Sequence, residues 1–210
     1  MDGPRRVVLV GFMAAGKSTV GRRLAERLGY SFVDLDEEVE RLSKRTIPEL
    51  FDEGGEAAFR RMEEAATAAL DETRDVVIAA GGGWMARPEL RDRWPDAVRV
   101  WLRVGPQAAW ERVAGDLAVR PMLGSTDPEG SLRSLMRERA AAYRLAELSV
   151  NTDRPTPEET AELVADLLAA AFGSARAAPR GATGERLRQG SSPPLSGYRE
   201  PERGETETEE

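Results

Sequence analysis

The sequence predicts a three-layer α/β/α protein whose helices cover both faces of a five-stranded parallel sheet. Short runs rich in Val, Ile and Leu alternate with longer amphipathic segments, an order typical of strands joined by crossover helices. The chain has 210 residues, 40% of them hydrophobic, which is enough for one domain with a substantial core. A glycine-bounded loop containing Lys-Ser follows the first aliphatic run. We therefore expect a single α/β domain organised around that loop.

The first half of the chain supplies three strands. A run of aliphatic residues predicts a strand at 6–10, and the amphipathic helix at 17–28 ends before Gly29. Residues 31–36 are interpreted as the second strand. The apolar run at 75–80 precedes three glycines and suits a buried central strand. Acidic amphipathic helices are predicted between these strands at 37–43, 47–52 and 56–70.

The second half of the chain completes the sheet. A helix near 88–94 leads to the fourth strand at 98–102. The next helix, at 106–113, begins with Pro106 at a position where proline is tolerated. The last elements are a helix at 132–147, a short strand at 149–151 and a helix from 156 or 157 to 172.

The folded domain is expected to cover residues 1–172. Residues 173–210 are rich in Gly, Pro, Ser, Arg and Glu, and their large apolar residues are Leu187, Leu195 and Tyr198. Such a segment buries too little apolar surface to offset its ordering entropy. We therefore expect a disordered tail, and we favour a solvated appendage over a partner-binding segment.

Composition excludes several kinds of chemistry. The chain has neither Cys nor His, so disulfides, thiolate metal sites and Ser-His nucleophiles are impossible. The net charge of −7 provides no basic surface for nucleic acid. No uninterrupted apolar stretch approaches the length that a bilayer requires. We expect a cytoplasmic monomer that binds neither nucleic acid nor membrane.

The loop from Gly11 to Thr19 has the full context of a Walker A phosphate-binding motif: a strand before it and a helix after it. Backbone N–H groups at a helix start lack intrahelical partners, and the helix dipole favours anions there. Lys17 is expected to reach the β- and γ-phosphates and Ser18 to ligate one Mg²⁺. The residues predicted to bind the nucleotide are Ala14, Ala15, Gly16, Lys17, Ser18 and Thr19.

The segment from Arg5 to Thr19 has two alternative interpretations. Arg5 and Arg6, followed by the apolar residues 7–15, resemble the start of a signal peptide. Lys17 and the amphipathic helix after it, with no cleavage-type spacer, argue against a secretory signal. A glycine loop of purely structural purpose is the other alternative.

Ligands of parallel α/β sheets bind beyond the carboxyl ends of the strands, which directs attention to three sites. The first strand leads to the phosphate loop, the second to Asp34 and Asp36, and the third to the glycines at 81–83. On one strand, Asp34 and Asp36 share a face, and their repulsion needs a cation or donor between them. The alternative is a strand exit in which Asp36 caps the next helix without any chemical role.

These residues belong to a longer series of motifs through which the chain resembles the shikimate kinase family, over about residues 5–172. The motifs agree with that family in order and spacing. They are Lys17-Ser18-Thr19, Asp34-Leu35-Asp36, Phe51 through Gly55-Glu56 to Phe59-Arg60-Arg61-Met62-Glu63, Gly81-Gly82-Gly83, Arg120-Pro121-Met122-Leu123 and Arg139-Ala140-Ala141-Ala142-Tyr143.

The resemblance implies ATP-dependent phosphorylation of the 3-hydroxyl of shikimate, in the route to chorismate and the aromatic amino acids. Ser18 corresponds to the Mg²⁺ ligand and Asp34 to the residue that holds the ion's water. Arg120 corresponds to the lid arginine, in a predicted mobile segment at 115–131. The residues that correspond to shikimate contacts or their support are Asp36, Arg60, Gly82, Arg139 and Glu63. Arg112 and Pro157 lie where the family encloses adenine.

The implied roles agree with the chemistry of these side chains. Two guanidinium groups, from Arg60 and Arg139, suit a carboxylate, and Asp36 suits a hydroxyl that must lose its proton. Lys17 and Arg120 would offset charge on the transferring phosphoryl group. Each role has a simpler alternative. Arg60 pairs on its helix with Glu56 or Glu64, Arg139 makes a similar surface pair, and Gly82 merely forms a turn.

The chain departs from the family at two positions near the nucleotide. Ala14 stands where the family usually has glycine, and alanine is expected to fit only if its φ is negative. Pro155 stands where relatives often have a basic residue. Two rival functions also remain open. One is a gluconate kinase-like activity on the same fold, and the other is a non-catalytic ATP-binding module.

Overall fold

The computed structural model describes residues 3–114 and 127–173, which form a five-stranded, wholly parallel sheet. The strands stand side by side in the order β2, β3, β1, β4, β5. Their bounds are β1 Arg6–Val10, β2 Ser31–Asp34, β3 Val76–Ala79, β4 Val98–Arg103 and β5 Leu148–Asn151. The predicted fold class is confirmed.

Helices connect the strands, and a 3₁₀ turn at Trp84–Ala86 follows β3. In the described residues the helices are α1 Lys17–Leu28, α2 Leu35–Ser43, α3 Ile47–Ala68, α4 Pro88–Arg91, α5 Pro106–Val113, α6 Pro128–Tyr143 and α7 Pro157–Phe172. Helix α1 packs against α7, α2 against α3, and α5 against α6. The predicted bounds of β1, α1 and α5 are the observed ones.

The predicted second strand is too long by two residues. Asp34 ends β2 and is also the N-cap of α2, since its side chain accepts a hydrogen bond from the Asp36 N–H at 3.0 Å. The helix therefore begins at Leu35. Asp34 and Asp36 do not share a strand face, because Asp36 lies in the first turn of a helix. The residue with the capping role is Asp34 and not Asp36.

Other boundaries also differ from the expectation: α4 ends at Arg91 instead of near 94, and α6 ends at Tyr143 instead of 147. Two further differences have an identifiable physical cause. The helices predicted at 47–52 and 56–70 are one element, α3, interrupted at Gly55 by backbone angles that are open to glycine (φ 62°, ψ −166°). Helix α6 begins at Pro128, four residues early, because the Asp127 side chain accepts from the Gly130 N–H. The end of the predicted lid, from 128 to 131, is therefore helical.

The core lies along β1, β3 and β4, whose aliphatic side chains are buried on both faces of the sheet. The register pairs Leu9 with Ala79 and Val10 with Trp101. Asp34 also pairs with Ala79. Strands β1, β2 and β3 therefore end at the same edge of the sheet. This edge holds the phosphate loop, Asp34 and the triple glycine. This register brings the candidate site residues together.

Two predicted features fall on residues outside the described ranges: Arg120, with most of the proposed lid, and nearly all of the tail at 173–210. Among the helices of the described ranges, none is both long enough and apolar enough to span a bilayer.

Candidate active site

A cavity of about 500 Å³ opens at the carboxyl edge of the sheet. It joins the phosphate loop to the two arginines of the predicted carboxylate clamp. Its wall includes Lys17, Ser18, Asp34, Asp36, Arg60, Glu63, Gly81, Gly82, Gly83 and Arg139. Residues from five separate parts of the sequence therefore share one cavity.

The phosphate loop forms one end of the cavity. Gly16 is the N-cap of α1 in a left-handed conformation (φ 86°). Gly11 approaches β4 so closely that a Cβ there would lie 2.5 Å from the Leu102 carbonyl oxygen. The Lys17 ammonium donates to the carbonyl oxygens of Gly11 and Phe12 at 3.1 and 3.2 Å. The loop thus brings the ammonium group and the unpaired N–H groups of a helix start to one place.

Ala14 contradicts an expectation from the sequence. Its φ is 60°, in the left-handed region that an alanine adopts at a cost. The condition of a negative φ is not met, so the loop keeps the backbone shape that favours glycine. Ala15 is buried and does not line the cavity, whereas Ala14, Gly16 and Thr19 do.

Ser18 and Asp34 meet beside the loop. The Ser18 hydroxyl donates to Asp34 Oδ2 at 2.5 Å. A hydroxyl and a carboxylate are hard oxygen donors that suit Mg²⁺, which binds few protein ligands and keeps phosphate and water oxygens. No group of three or more acidic side chains within residues 3–114 and 127–173 forms a complete metal cage. The pair therefore fits an ion that arrives with a polyphosphate.

Asp36 faces the cavity from the first turn of α2. Its side chain is accessible to solvent from the cavity, and the cavity wall removes part of the water around the carboxylate. Burial, and after it the negative charge of Asp34, raises the pKa of Asp36 to about 6, while Lys17 acts in the opposite direction. A carboxylate with a raised pKa is a better proton acceptor than an ordinary aspartate.

Arg60 lies at the other end of the cavity, on the second part of α3. It donates to Glu56 Oε1 at 2.8 and 3.1 Å and to Glu63 Oε2 at 2.9 Å. The Glu56 pair anticipated as an alternative is thus present, but Arg60 also lines the cavity. Glu63 is buried, and its Oε1 accepts no hydrogen bond from residues 3–114 or 127–173.

The triple glycine allows these side chains to approach the backbone. A Cβ at Gly81 would lie 2.8 Å from Glu63 Oε1, and one at Gly83 would lie 2.8 Å from both terminal nitrogens of Arg60. At Gly82 a Cβ would lie 2.7 Å from Arg139 Nη1. Each glycine therefore leaves room for a different charged side chain, which is more than a turn requires.

Arg139 reaches Gly82 from α6 and is largely buried. Tyr143, one turn further along α6, donates its hydroxyl to the Gly82 carbonyl oxygen at 2.6 Å. Burial raises the pKa of the Tyr143 hydroxyl to about 12, although the neighbouring Arg139 opposes this shift. Tyr143 thus remains a neutral donor that fixes the glycine loop beneath Arg139.

Sequence reasoning missed Arg87 as a member of this site. Its Nη1 donates to the Arg60 carbonyl oxygen at 3.0 Å and to Glu63 Oε2 at 3.4 Å. Arg87 also pairs with Glu64. Nothing in the local pattern indicates this role, because Arg87 stands alone between the apolar residues 84–86 and Pro88.

The residues predicted to enclose adenine lie outside the cavity wall. Arg112, at the end of α5, donates to the carbonyl oxygens of Ala14 and Thr152 at 3.0 and 2.6 Å. Pro157 is the first residue of α7. Arg112 is connected to the site through the Ala14 carbonyl oxygen.

The fold and the cavity define a class: P-loop kinases that phosphorylate a small molecule, with the phosphate loop and an arginine-lined pocket at the same sheet edge. The family model described as shikimate kinase matches residues 13–169. The chain belongs to the shikimate kinase family.

Individual relatives agree with this assignment. The shikimate kinase of Synechococcus sp. (strain CC9605) is 41% identical over 164 residues, which cover 78% of this chain and 82% of the relative. The solved structure of shikimate kinase from Acinetobacter baumannii in complex with shikimate has a TM-score of 0.75 and 33% identity, covering 79% of this chain and 93% of that one. A gluconokinase from Sinorhizobium meliloti 1021, with 17% identity and a TM-score of 0.54, shares the fold alone.

Proposed function

We propose that this chain transfers the γ-phosphoryl group of ATP to the 3-hydroxyl of shikimate, giving shikimate 3-phosphate and ADP for the synthesis of aromatic amino acids. The observation that carries the proposal is the single cavity that joins the Lys17 loop to Arg60 and Arg139. One end of this cavity suits a polyphosphate and the other a carboxylate, as the two substrates require.

The carboxylate of shikimate would be held by Arg60 and Arg139. A planar guanidinium matches a carboxylate in geometry and charge. Glu63 and the close approach of Arg60 to Gly83 restrict the rotation of the Arg60 side chain. The Gly82 N–H is our candidate for a further contact to the substrate.

The phosphate end would bind ATP through the amides of the loop, with Lys17 moving from the loop carbonyls to the β- and γ-phosphates. Ser18 would hold Mg²⁺ directly and Asp34 would hold it through a water molecule. When bound with ATP, Mg²⁺ neutralises charge on the phosphates. Arg120 is proposed to close over the nucleotide, and Arg112 and Pro157 to border the adenine.

Asp36 would orient the attacking hydroxyl. It lies between the two ends of the cavity wall, near Lys17 and Glu63. In a loose transition state the proton leaves late, so positioning contributes more than early proton removal. Asp36 then accepts the proton as the new phosphate ester forms.

Both ends of the cavity come from the same chain, so we propose a monomer as the active species. We further propose that residues 1–172 form the kinase domain and that 173–210 form an appendage to it. The consumption of ATP is consistent with a cytoplasmic enzyme.

A coupled ADP-release assay tests the proposed function. ADP should appear with Mg²⁺, ATP and shikimate together, and the release should saturate with shikimate. Replacing shikimate with gluconate should give background release. Turnover with gluconate would instead support the gluconate kinase-like activity. Nucleotide binding without turnover on either substrate would support a non-catalytic module and overturn the proposal.

A further inference from the structure

The phosphate loop contains an alanine in a conformation that favours glycine. Ala14 has a φ of 60°, and a non-glycine residue there is disfavoured relative to the usual right-handed and extended conformations. Such a conformation persists only where its surroundings hold it. The atoms that hold Ala14 are therefore important for the shape of the loop.

The peptide between Ala14 and Ala15 is held at both of its polar atoms. The Ala14 carbonyl oxygen accepts from Arg112 Nη1 at 3.0 Å. The Ala15 N–H donates to the Phe12 carbonyl oxygen at 3.2 Å. Because the peptide unit is planar, these two bonds fix its orientation. The residues that follow, from Gly16 to Thr19 at the start of α1, line the cavity.

Arg112 is itself fixed on a rigid support. Its Nη2 donates to the carbonyl oxygen of Thr152 at 2.6 Å, and Thr152 is buried. Thr152 is anchored to β4, since both its N–H and its hydroxyl donate to the Arg103 carbonyl oxygen, at 2.7 and 3.1 Å. The guanidinium thus bridges the phosphate loop and the turn after β5.

We propose that Arg112 is a positioning residue of the phosphate loop. Its hydrogen bonds to the carbonyl oxygens of Ala14 and Thr152, called the Arg112 tether below, hold Ala14 in its left-handed conformation and compensate for the absence of glycine. This role differs from contact with adenine, because it acts on the triphosphate through the loop. It rests only on the phosphate-binding part of the proposed function and is independent of the identity of the second substrate.

The test is a double-mutant cycle read with a ligand that has no base. Calorimetry measures the binding of Mg²⁺-tripolyphosphate and of Mg²⁺-ATP to the full chain and to the variants Arg112→Met, Ala14→Gly and their combination. Arg112→Met alone should weaken tripolyphosphate binding roughly tenfold, because the loop must then adopt a disfavoured conformation to bind. Ala14→Gly alone should change the affinity for tripolyphosphate less than about twofold, because the Arg112 tether already holds residue 14 in the required conformation.

The double variant, Arg112→Met with Ala14→Gly, provides the deciding measurement. With Ala14→Gly present, Arg112→Met should weaken tripolyphosphate binding by only about twofold, because glycine adopts the conformation without the tether. An equal loss in both backgrounds would overturn the proposal. So would a loss confined to ATP, since that result indicates a contact with the base.

Two controls accompany these titrations. Arg133→Met removes an exposed arginine that pairs with Glu129 and should leave the affinity for both ligands unchanged. Thermal unfolding of each variant shows whether the fold is retained. If Arg112→Met does not fold, Arg112→Lys, which keeps one donor, should show a smaller loss with the same dependence on residue 14. If Arg112→Lys weakened tripolyphosphate binding equally with alanine and with glycine at position 14, the proposal would be contradicted.

Discussion

Arginine side chains are buried at both edges of the sheet, but their partners differ. At the amino edge, most hydrogen bonds of Arg6 and Arg99 go to backbone carbonyl oxygens, and each side chain also pairs with one carboxylate, Asp96 or Glu147. Arg6 Nη2 donates to three carbonyls in the turn that follows α3, at 2.8 to 3.3 Å. Arg99 donates to the carbonyls of Ala97, Arg91 and Trp94. These guanidinium groups hold loops together.

At the carboxyl edge, the arginines border an open cavity. Arg60 donates to two carboxylates, and Arg139 lies against Gly82. Both side chains line the cavity. A buried arginine alone therefore does not indicate a binding site. What distinguishes the two arginines proposed to bind shikimate is their position at the cavity, against backbone that lacks Cβ atoms.

The comparison predicts that changes at the carboxyl edge reduce activity and that changes at the amino edge reduce stability. The largest effect is expected for Lys17→Met, which removes the ammonium group beside the phosphates. Steady-state kinetics should show a fall in kcat/KM of at least about a thousandfold, with a nearly unchanged melting temperature. Lys44→Met changes the other lysine of the chain and should retain activity. A Lys17→Met variant with near-normal turnover would refute the assigned role.

Next in size is a loss of stability at the amino edge. Arg6→Met should lower the free energy of unfolding by about 3 kcal/mol, because it leaves buried carbonyl oxygens without a donor. Chemical denaturation measures this change, and KM for both substrates should hold steady. Arg5→Met is the matched control, since the exposed Arg5–Asp75 pair contributes little. Equal effects of the two variants would remove the distinction between them.

Arg60→Lys should raise the KM for shikimate roughly tenfold or more while the KM for ATP barely changes. Lysine keeps the charge but cannot bond a carboxylate with two parallel donors. Arg99→Lys, at the opposite edge, should lower the melting temperature and leave both KM values alone. Unaltered shikimate kinetics in Arg60→Lys would show that the clamp is wrongly placed.

The smallest effect is expected for Arg87→Lys, which acts on substrate through Glu63 and the Arg60 carbonyl. The KM for shikimate should rise about threefold and kcat should stay within about twofold, because a weakened support loosens Arg60 without removing it. Arg91→Lys, whose side chain pairs with Asp92, should leave the KM for shikimate unchanged. A lower melting temperature with unaltered KM would mean that Arg87 is merely structural.

Much of the fold was predictable because its signals are local. The boundaries of β1 and α1 could be predicted from local sequence, because the aliphatic run, the phosphate loop and the amphipathic helix follow one another directly. The predicted second strand was too long because two local signals overlap at Asp34. The residues at 31–36 have the pattern of a strand, whereas the Asp34 carboxylate caps α2. The predicted convergence at the triple glycine followed from the rule for parallel strands, and the cavity confirms it.

The buried arginines and the tether were not predictable from local pattern. Arg6 begins a strand, a position where a charged residue is usually a solvated boundary, and its burial depends on partners about 65 to 90 residues away. The contact of Arg112 with Ala14 spans 98 residues. Arg87 joins the site only because a 3₁₀ turn after the glycines returns the chain to α3.

The proposed function depends most on the recognition of a carboxylate by Arg60 and Arg139. Calorimetric titration of shikimate and of shikimate methyl ester into the full chain, with a nucleotide present, tests this recognition directly. Shikimate should bind at one site per chain and the ester at least about tenfold more weakly, because the ester has no charged group for the two guanidinium groups. Equal affinity for the two compounds would show that Arg60 and Arg139 do not recognise the carboxylate of shikimate.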